Sequence, residues 1–152
     1  MATKDSTGLR VRRAGAKDAP LVAPLVDALS LSRTDDPPRL SRRALSRQLA
    51  EEGSPVFIAM EGGRALGLVR FHLLSALAHN GRRWAMLEDL IVADDARAGG
   101  VGDALLRAAV SAARRLGCYK ISLASRANRR SAHKLYRKAG FERFGYGFRL
   151  LL

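Results

Sequence analysis

The chain of 152 residues has few of the features that mark secreted or membrane-bound proteins. It contains one cysteine, Cys118, so it cannot form a disulfide within itself. It has no run of 18 apolar residues, which excludes an evident transmembrane helix. The polar N-terminus, residues 1–8, lacks the apolar core of a signal peptide. These absences predict a cytoplasmic protein without membrane contact. The length of the chain is sufficient for one domain with a buried core.

Acidic and aromatic residues are also scarce. Asp and Glu number 14 against 27 Lys and Arg, which gives a net charge of +13, and aromatic residues make up 6% of the chain. A basic surface attracts polyanions, but the basic residues are scattered and the aromatics few, so nucleic-acid binding is not favoured. The three histidines lack metal-ligand spacing, so no metal site is predicted. Cys118 lies in an apolar stretch without a neighbouring base, which favours a place in the core.

The most informative segment is the turn Arg97-Ala98-Gly99-Gly100-Val101-Gly102. It lies between a predicted strand, 87–92, and a predicted helix, 103–116. Glycines in such a turn leave N–H groups bare at a helix N-terminus, where the helix dipole favours an anion. A Walker A loop needs Gly-Lys-Ser/Thr, but Asp103 follows Gly102. A dinucleotide fingerprint that begins at Gly100 needs its third glycine at position 105, where this chain has Leu105. The turn therefore predicts a phosphate site of another kind.

What remains, Arg-x-x-Gly-x-Gly, resembles the acetyl-CoA pyrophosphate loop of the GNAT N-acetyltransferase superfamily. Strands at 87–92 and 117–123 stand at the spacing that this family shows. The run Tyr136-Arg137-Lys138-Ala139-Gly140-Phe141 is similar to the family's Tyr-x-x-x-Gly-Phe signature. The motifs match over residues 82–151, and residues 8–80 match in element order. The resemblance implies transfer of an acetyl group from acetyl-CoA to a primary amine by direct attack, without a metal.

The order of predicted elements is strand, two helices, three strands, helix, strand, helix and strands. Asp18 is predicted to cap the first helix and Pro37-Pro38 to open the second, whose apolar stripe would begin at Leu40. Residues 141–144 and 146–151 are expected to form the last two strands. The prediction is an α/β (α+β) single GNAT-type domain over residues 8–152, behind a flexible tail, 1–7. Its mixed central sheet has six or seven strands flanked by about four helices.

The resemblance also implies a set of cofactor contacts. Backbone N–H groups from Arg97 to Asp103 would bind the pyrophosphate, and the pantetheine would pair with the strand before the turn. Asn128 matches a family asparagine that bonds the pantetheine or positions the last helix. The Asp103 side chain is expected to point away from the diphosphate, because its charge is negative. The expected cofactor-binding residues are Leu90, Ile91, Val92, Arg97, Ala98, Gly99, Gly100, Val101, Gly102, Asp103, Asn128 and Tyr136.

Acetyl transfer needs a base for the amine proton and an acid for the leaving thiolate. The resemblance implies that Tyr136 is the acid, since a phenol is of comparable basicity to a thiolate. It implies that Glu88 removes the amine proton through water, with Asp89 as the second candidate. Strand alternation separates Trp84, Met86, Glu88, Leu90 and Val92 from Ala85, Leu87, Asp89 and Ile91, so only one carboxylate is expected to face the cleft.

The acceptor amine is left open. In the resembled fold it enters between residues 30–39 and 75–83. Local likeness to polyamine and glucosamine-phosphate N-acetyltransferases suggests a small amine or an amino sugar, and an antibiotic or a protein amine is equally compatible. Two other functions stay open at this point, a non-catalytic acetyl-CoA sensor or scaffold and a basic nucleic-acid module. A homodimer is a further possibility.

Overall fold

One six-stranded sheet forms the centre of the protein in the computed structural model, which describes residues 3–4, 8–31 and 40–150. The strands stand side by side in chain order: β1 (Thr3–Lys4), β2 (Arg10–Arg13), β3 (Val56–Glu61), β4 (Arg64–Ser75), β5 (Arg83–Val92) and β6 (Ile121–Leu123). Neighbours from β1 to β5 are antiparallel, and β6 runs parallel to β5. The sheet is therefore mixed, as predicted.

Helices cover both faces of this sheet. Helices α1 (Ala19–Leu31) and α2 (Arg42–Leu49) pack on one face, and α3 (Val101–Arg115) and α4 (Arg130–Lys138) pack on the other. Short 3-10 turns occupy Ala16–Asp18, His79–Gly81 and Asp94–Ala96. Each face has its own core. Val22 and Ile58 are fully buried in the α1/α2 core, and Phe71, Leu105 and Leu106 in the α3/α4 core. The predicted α/β domain with four flanking helices is confirmed over the described residues.

The start of α2 differs from the prediction. The helix begins at Arg42, because the Ser41 side chain accepts the N–H of Ala44 at 3.2 Å and caps the first turn. Leu40 precedes the helix and is exposed, and Pro37-Pro38 lie outside the described residues. Asp18 does not cap the first helix, although the sequence predicts that it does. Its carboxylate closes the 3-10 turn on Gly15 instead of capping α1.

Both ends of the chain also require a correction. Thr3–Lys4 pairs with β2, so these two residues of the predicted flexible tail belong to the sheet. The two strands predicted at the C-terminus do not form within the described residues 141–150, which pair with none of the six strands. Among the helices that the structure describes, none is long and apolar enough to cross a membrane.

Candidate active site

A β-bulge in β5 places two acidic residues on the same face of the sheet. The pairing of β4 with β5 shifts between Leu68 and Arg70, and Asp89 takes a left-handed backbone conformation with φ of 54°. Glu88 hydrogen-bonds to a side chain on the α1/α2 face, and Asp89 lines a cavity beneath α1 and α2. The predicted separation of these carboxylates is therefore wrong, because a bulge inserts one extra residue and resets the alternation.

The bulge also exchanges the faces of the residues that follow it. Leu90 and Val92 pack on the α3/α4 core together with Leu87, and Ile91 packs on the α1/α2 core. The prediction that Leu90 and Val92 lie on the same face as Glu88 is therefore wrong for the same reason. The bulge keeps three apolar side chains in the two cores while it presents two acids on one face.

Strands β5 and β6 separate after a short pairing. The parallel register joins residues 85–87 to Ile121–Leu123 and stops there. In the part of the chain that the structure describes, residues 88–92 of β5 therefore have a strand neighbour only at β4. An unpaired strand edge offers N–H and C=O groups to an extended ligand. We call this opening along residues 88–92 the slot, and Leu90, Ile91 and Val92 lie along it.

The slot leads to the glycine-rich turn before α3. Gly100 is the N-cap residue with φ of 78°, and beyond its immediate neighbours in the chain no atom lies within 4 Å of the position that a Cβ would occupy there. The first helical bond runs from the N–H of Ala104 to the carbonyl of Gly100 at 2.9 Å. The N–H groups of Val101, Gly102 and Asp103 consequently have no acceptor within the helix. Open space and bare donors at a helix N-terminus suit a phosphate group.

The charged side chains of the turn are paired with their neighbours. Asp103 hydrogen-bonds to Arg107 one helical turn further on, which directs its carboxylate along the helix and away from the turn, as expected. Arg97 forms an ion pair with Asp94 at 2.7 Å, yet 71% of its side chain is exposed. The turn therefore presents one accessible guanidinium beside the bare N–H groups. Ala98 also takes a left-handed conformation, with φ of 68°.

Two glycines fix α3 close to the elements around the slot. A Cβ on Gly67 in β4 would lie 2.8 Å from the carbonyl oxygen of Ile91 and 3.0 Å from Val101. A Cβ on Gly102 would lie 2.8 Å from the Leu135 side chain of α4. These contacts bring the N-terminus of α3 against β5 and against the helix that carries Tyr136. A side chain at Gly67 would force β4 and β5 apart, because the atom that it meets belongs to the backbone, whereas a side chain at Gly102 would require the end of the Leu135 side chain to turn aside.

Tyr136 is the largest side chain of α4 in the α3/α4 core. It is 8% exposed, and its ring lies 6.3 Å from that of Phe141 and 6.5 Å from that of His133. Burial raises the pKa of the phenol above its ordinary value, against smaller opposing effects of Arg129 and of a hydrogen bond with Ser125. The phenol is therefore fully protonated at neutral pH and can act as a proton donor.

Glu88 belongs to a chain of three hydrogen-bonded side chains. The Oε2 atom of Glu88 lies 2.9 Å from Nε2 of His72, and Nδ1 of His72 lies 2.9 Å from Oγ of Ser54. The Glu88 side chain is 53% exposed, whereas that of His72 is 19% exposed. A carboxylate only accepts, so the His72 Nε2–H donates to Glu88. Sequence reasoning passed over His72, because only the β4–β5 register brings it beside Glu88.

Asp89 lies deeper on the same face. It lines a cavity of about 60 Å³ beneath α1 and α2, together with Arg70 and apolar side chains. Arg70 donates to Gln48 at 2.8 Å and to Glu51 at 2.7 Å, and its Nε is buried without a partner. Asp89 is thus more enclosed than Glu88, which stands beside the slot.

The remaining predicted residues stand at the edges of the site. Asn128 lies in an exposed turn before α4, where its carbonyl accepts the N–H of Arg130 at 2.9 Å. Residues 32–39 of the predicted acceptor entrance lie outside the described residues.

Cys118 packs on the α3/α4 core, and burial raises the pKa of its thiol, which argues against a reactive thiolate. Within the described ranges, no group of three His, Cys, Asp or Glu residues could hold a metal ion.

The comparisons with known proteins identify the family. The pattern of the acetyltransferase (GNAT) family matches residues 24–141, most of the chain. The protein therefore belongs to the GNAT acetyltransferase family and is an acyltransferase. Enzymes of this family use acetyl-CoA as the donor and act on amine acceptors.

Proteins that are similar to this chain have acetyltransferase names. The uncharacterised N-acetyltransferase YhfO of Bacillus subtilis is 29% identical over 136 residues, which is 88% of this chain and 90% of the relative. A Trypanosoma brucei acetyltransferase structure has a TM-score of 0.77 at 26% identity, over 95% of this chain and 99% of the other. Glucosamine-6-phosphate N-acetyltransferase of Arabidopsis thaliana has a TM-score of 0.79 at 13% identity, over 94% and 97%. This last likeness concerns the fold alone.

Proposed function

We propose that this protein transfers the acetyl group of acetyl-CoA to a primary amine by direct attack. The observation that carries the proposal is the arrangement around the slot. An unpaired strand edge runs into the bare N-terminus of α3, with Glu88 on one face of the sheet and Tyr136 packed on the other. A donor in the slot would thus have a carboxylate on one side and a phenol on the other.

The residues of the chain suit this donor. Residues 88–92 offer an unpaired edge to the amide groups of pantetheine, and the N–H groups of Val101, Gly102 and Asp103 would receive the pyrophosphate. Arg97 can add a charged contact. Asn128 is proposed to contact the pantetheine from the turn before α4. Residues 8–152, with Thr3–Lys4 added at the edge of the sheet, form the enzyme domain in this proposal.

In the reaction, Glu88 accepts a proton from the ammonium group through a water molecule, and the neutral amine attacks the thioester carbonyl. The new N–C bond forms as the C–S bond breaks, and Tyr136 donates its proton to the departing sulfur. The acetylated nitrogen then loses its second proton through water, which returns a proton to Tyr136. His72 acts as a positioning residue. It holds one carboxylate oxygen of Glu88 and leaves the other free for the water. Glu88 is preferred over Asp89 because its side chain is exposed beside the slot.

Binding of the donor is tested by calorimetric titration with acetyl-CoA and by the melting temperature. Acetyl-CoA should raise the melting temperature of the wild type by mass action, and Gly100→Glu should abolish this shift by placing a side chain and a negative charge in the turn. The matched control is Gly63→Glu, at a turn glycine of the β3–β4 hairpin with φ of 79° and open space. A full shift in Gly100→Glu would refute the site.

The base is tested by the pH–rate profiles of Glu88→Gln and Asp89→Asn. Glu88→Gln should lower the rate most near neutral pH, where the acceptor is mostly ammonium, and recover as the pH approaches the pKa of the amine. Asp89→Asn lies on the same face but deeper, and should act through stability. A pH-dependent loss confined to Asp89→Asn would move the base to that residue.

A further inference from the structure

Acidic and basic residues are distributed unevenly over the fold. All but one of the 14 acidic residues lie within residues 1–103, and the last, Glu142, follows α4. Residues 104–141, which form most of α3, β6 and all of α4, contain ten Lys or Arg residues and no Asp or Glu. Because α3 and α4 pack on the same face of the sheet, this positive charge is concentrated on one side of the protein.

Helix α4 presents four of these cations to solvent as one patch. Arg130, Lys134, Arg137 and Lys138 are all exposed, and at 3.6 residues per turn they fall within an arc of about 100° around the helix axis. The opposite side of the helix, which carries Tyr136, packs on the α3/α4 core. We call these four exposed residues the basic face.

The basic face has no counterion in the part of the chain that the structure describes. None of its four side chains forms an ion pair or a side-chain hydrogen bond there, whereas Arg12, Arg64 and Arg70 are each paired with a carboxylate. The helix dipole favours cations only in the last turn, and Arg130 stands in the first turn, where it opposes the dipole. Like charges four residues apart also repel each other, so an external anion would stabilise the helix.

The chemistry of the basic face distinguishes between the possible polyanions. Binding to an anionic membrane also uses apolar side chains, and α4 buries its apolar side in the core. Protein partners are anchored by apolar or aromatic side chains at the centre of an interface, which the basic face lacks. Phosphates need only Lys and Arg. Without an aromatic side chain on which an unpaired base could stack, the face suits a duplex better than a single strand.

The length of the basic face fits the backbone of a DNA duplex. Arg130 and Lys138 are eight residues apart, which is about 12 Å along the helix axis at 1.5 Å per residue. The major groove of B-DNA is also about 12 Å wide, so the two ends of the face can contact phosphates on both sides of the groove. An RNA duplex has a narrow, deep major groove instead.

We propose that the basic face of α4 binds the phosphate backbone of double-stranded DNA without reading its sequence. The basic residues are scattered along the sequence as a whole, and the helix brings four of them together. The proposal goes beyond acetyl transfer and does not depend on it, because the basic face is on the side of α4 that is turned away from the sheet.

The test is the fluorescence anisotropy of a labelled DNA duplex of mixed sequence, titrated with the full chain between about 50 and 200 mM salt. Each phosphate contact contributes about −0.9 to the slope of log K against log salt, so four contacts give a slope of about −3.6. Lys134→Gln/Lys138→Gln removes two contacts and keeps good helix formers. Its slope should be about −1.8, and its affinity at about 0.1 M salt should fall more than tenfold.

The matched control is Arg43→Gln/Arg47→Gln. It removes two exposed cations at the same spacing from α2, on the other face of the sheet, and lowers the net charge equally. Its slope and affinity should equal those of the wild type. Acetyl-CoA should bind Lys134→Gln/Lys138→Gln with wild-type affinity, which separates the basic face from the donor site. Equal melting temperatures of both variants and the wild type verify that all are folded.

Four results would overturn the proposal. The first is a wild type that does not bind the duplex at about 50 mM salt. The second is a control variant that loses as much affinity as the α4 variant, which would reduce the effect to net charge. The third is an α4 variant that loses acetyl-CoA affinity in the same proportion as DNA affinity. The fourth is tighter binding of an RNA duplex of the same length and sequence.

Discussion

Replacing Tyr136 by Phe removes one oxygen atom from the core and tests the proposed acid. The ring is buried between α4 and the sheet, so Phe retains its packing and creates no large cavity. The lost hydrogen bond with Ser125 costs about 1 kcal/mol of unfolding free energy, and the variant should stay folded. Loss of a general acid lowers the rate by about 10²-fold or more, which corresponds to roughly 2.7 kcal/mol of activation free energy.

The assay is release of the CoA thiol at saturating acetyl-CoA and saturating amine. Turnover of Tyr136→Phe should fall about 10²-fold, while its dissociation constant for acetyl-CoA changes little. The matched control is Tyr119→Phe, since Tyr119 stacks under Arg82 and Lys120 outside the slot and should turn over normally. An unchanged turnover number in Tyr136→Phe would remove the phenol from the chemistry and leave it a packing residue.

Two further predictions concern stability. The hydrogen bond from Arg12 lowers the pKa of Asp18 in the folded protein. The ionised carboxylate therefore stabilises the fold fully above the pKa of the unfolded state, about 3.9, and this stabilisation is lost as the pH falls through the pKa of the folded state. Asp18→Asn should therefore lower the unfolding free energy by about 1 kcal/mol in urea at pH 7 and by less at pH 3, and an equal loss at both would contradict this. Gly67→Ala should cost about 1–3 kcal/mol, because its Cβ would lie 2.8 Å from the backbone carbonyl oxygen of Ile91, whereas Gly53→Ala, in open space, should cost far less; equal melting temperatures would refute the close contact.

The sequence predicts the fold well where local signals are strong. The glycine turn at 97–102 and the periodic helix after it are local features, and the structure places them as predicted. The prediction starts α2 at Pro37-Pro38, whereas the helix is capped by Ser41. Both are signals of a helix N-terminus, and the sequence alone does not decide between them. The C-terminal strands are expected from the order of elements in the resembled family, and that order does not say whether residues 141–150 reach a partner strand.

The site was harder to predict, because it depends on register. Alternation assigned Glu88 and Asp89 to opposite faces, and the bulge at Asp89 puts both on one face. A bulge between β4 and β5 is a property of two strands together, so β5 alone does not reveal it. The contact between His72 and Glu88 likewise depends on the pairing of β4 with β5. Tyr136 was placed by its motif, and its burial follows from the packing of α4 on the sheet.

Transfer of the acetyl group to an amine is tested most directly by incubating the wild-type protein with acetyl-CoA and a panel of primary amines. The panel should hold small amines, polyamines, amino sugars, aminoglycosides and peptides with free N-termini, with thiol release and the mass of each amine measured together. The account predicts that at least one amine gains a single acetyl group with equal release of CoA. Tight binding of acetyl-CoA without acetylation of any amine would contradict it and favour a non-catalytic acetyl-CoA-binding domain.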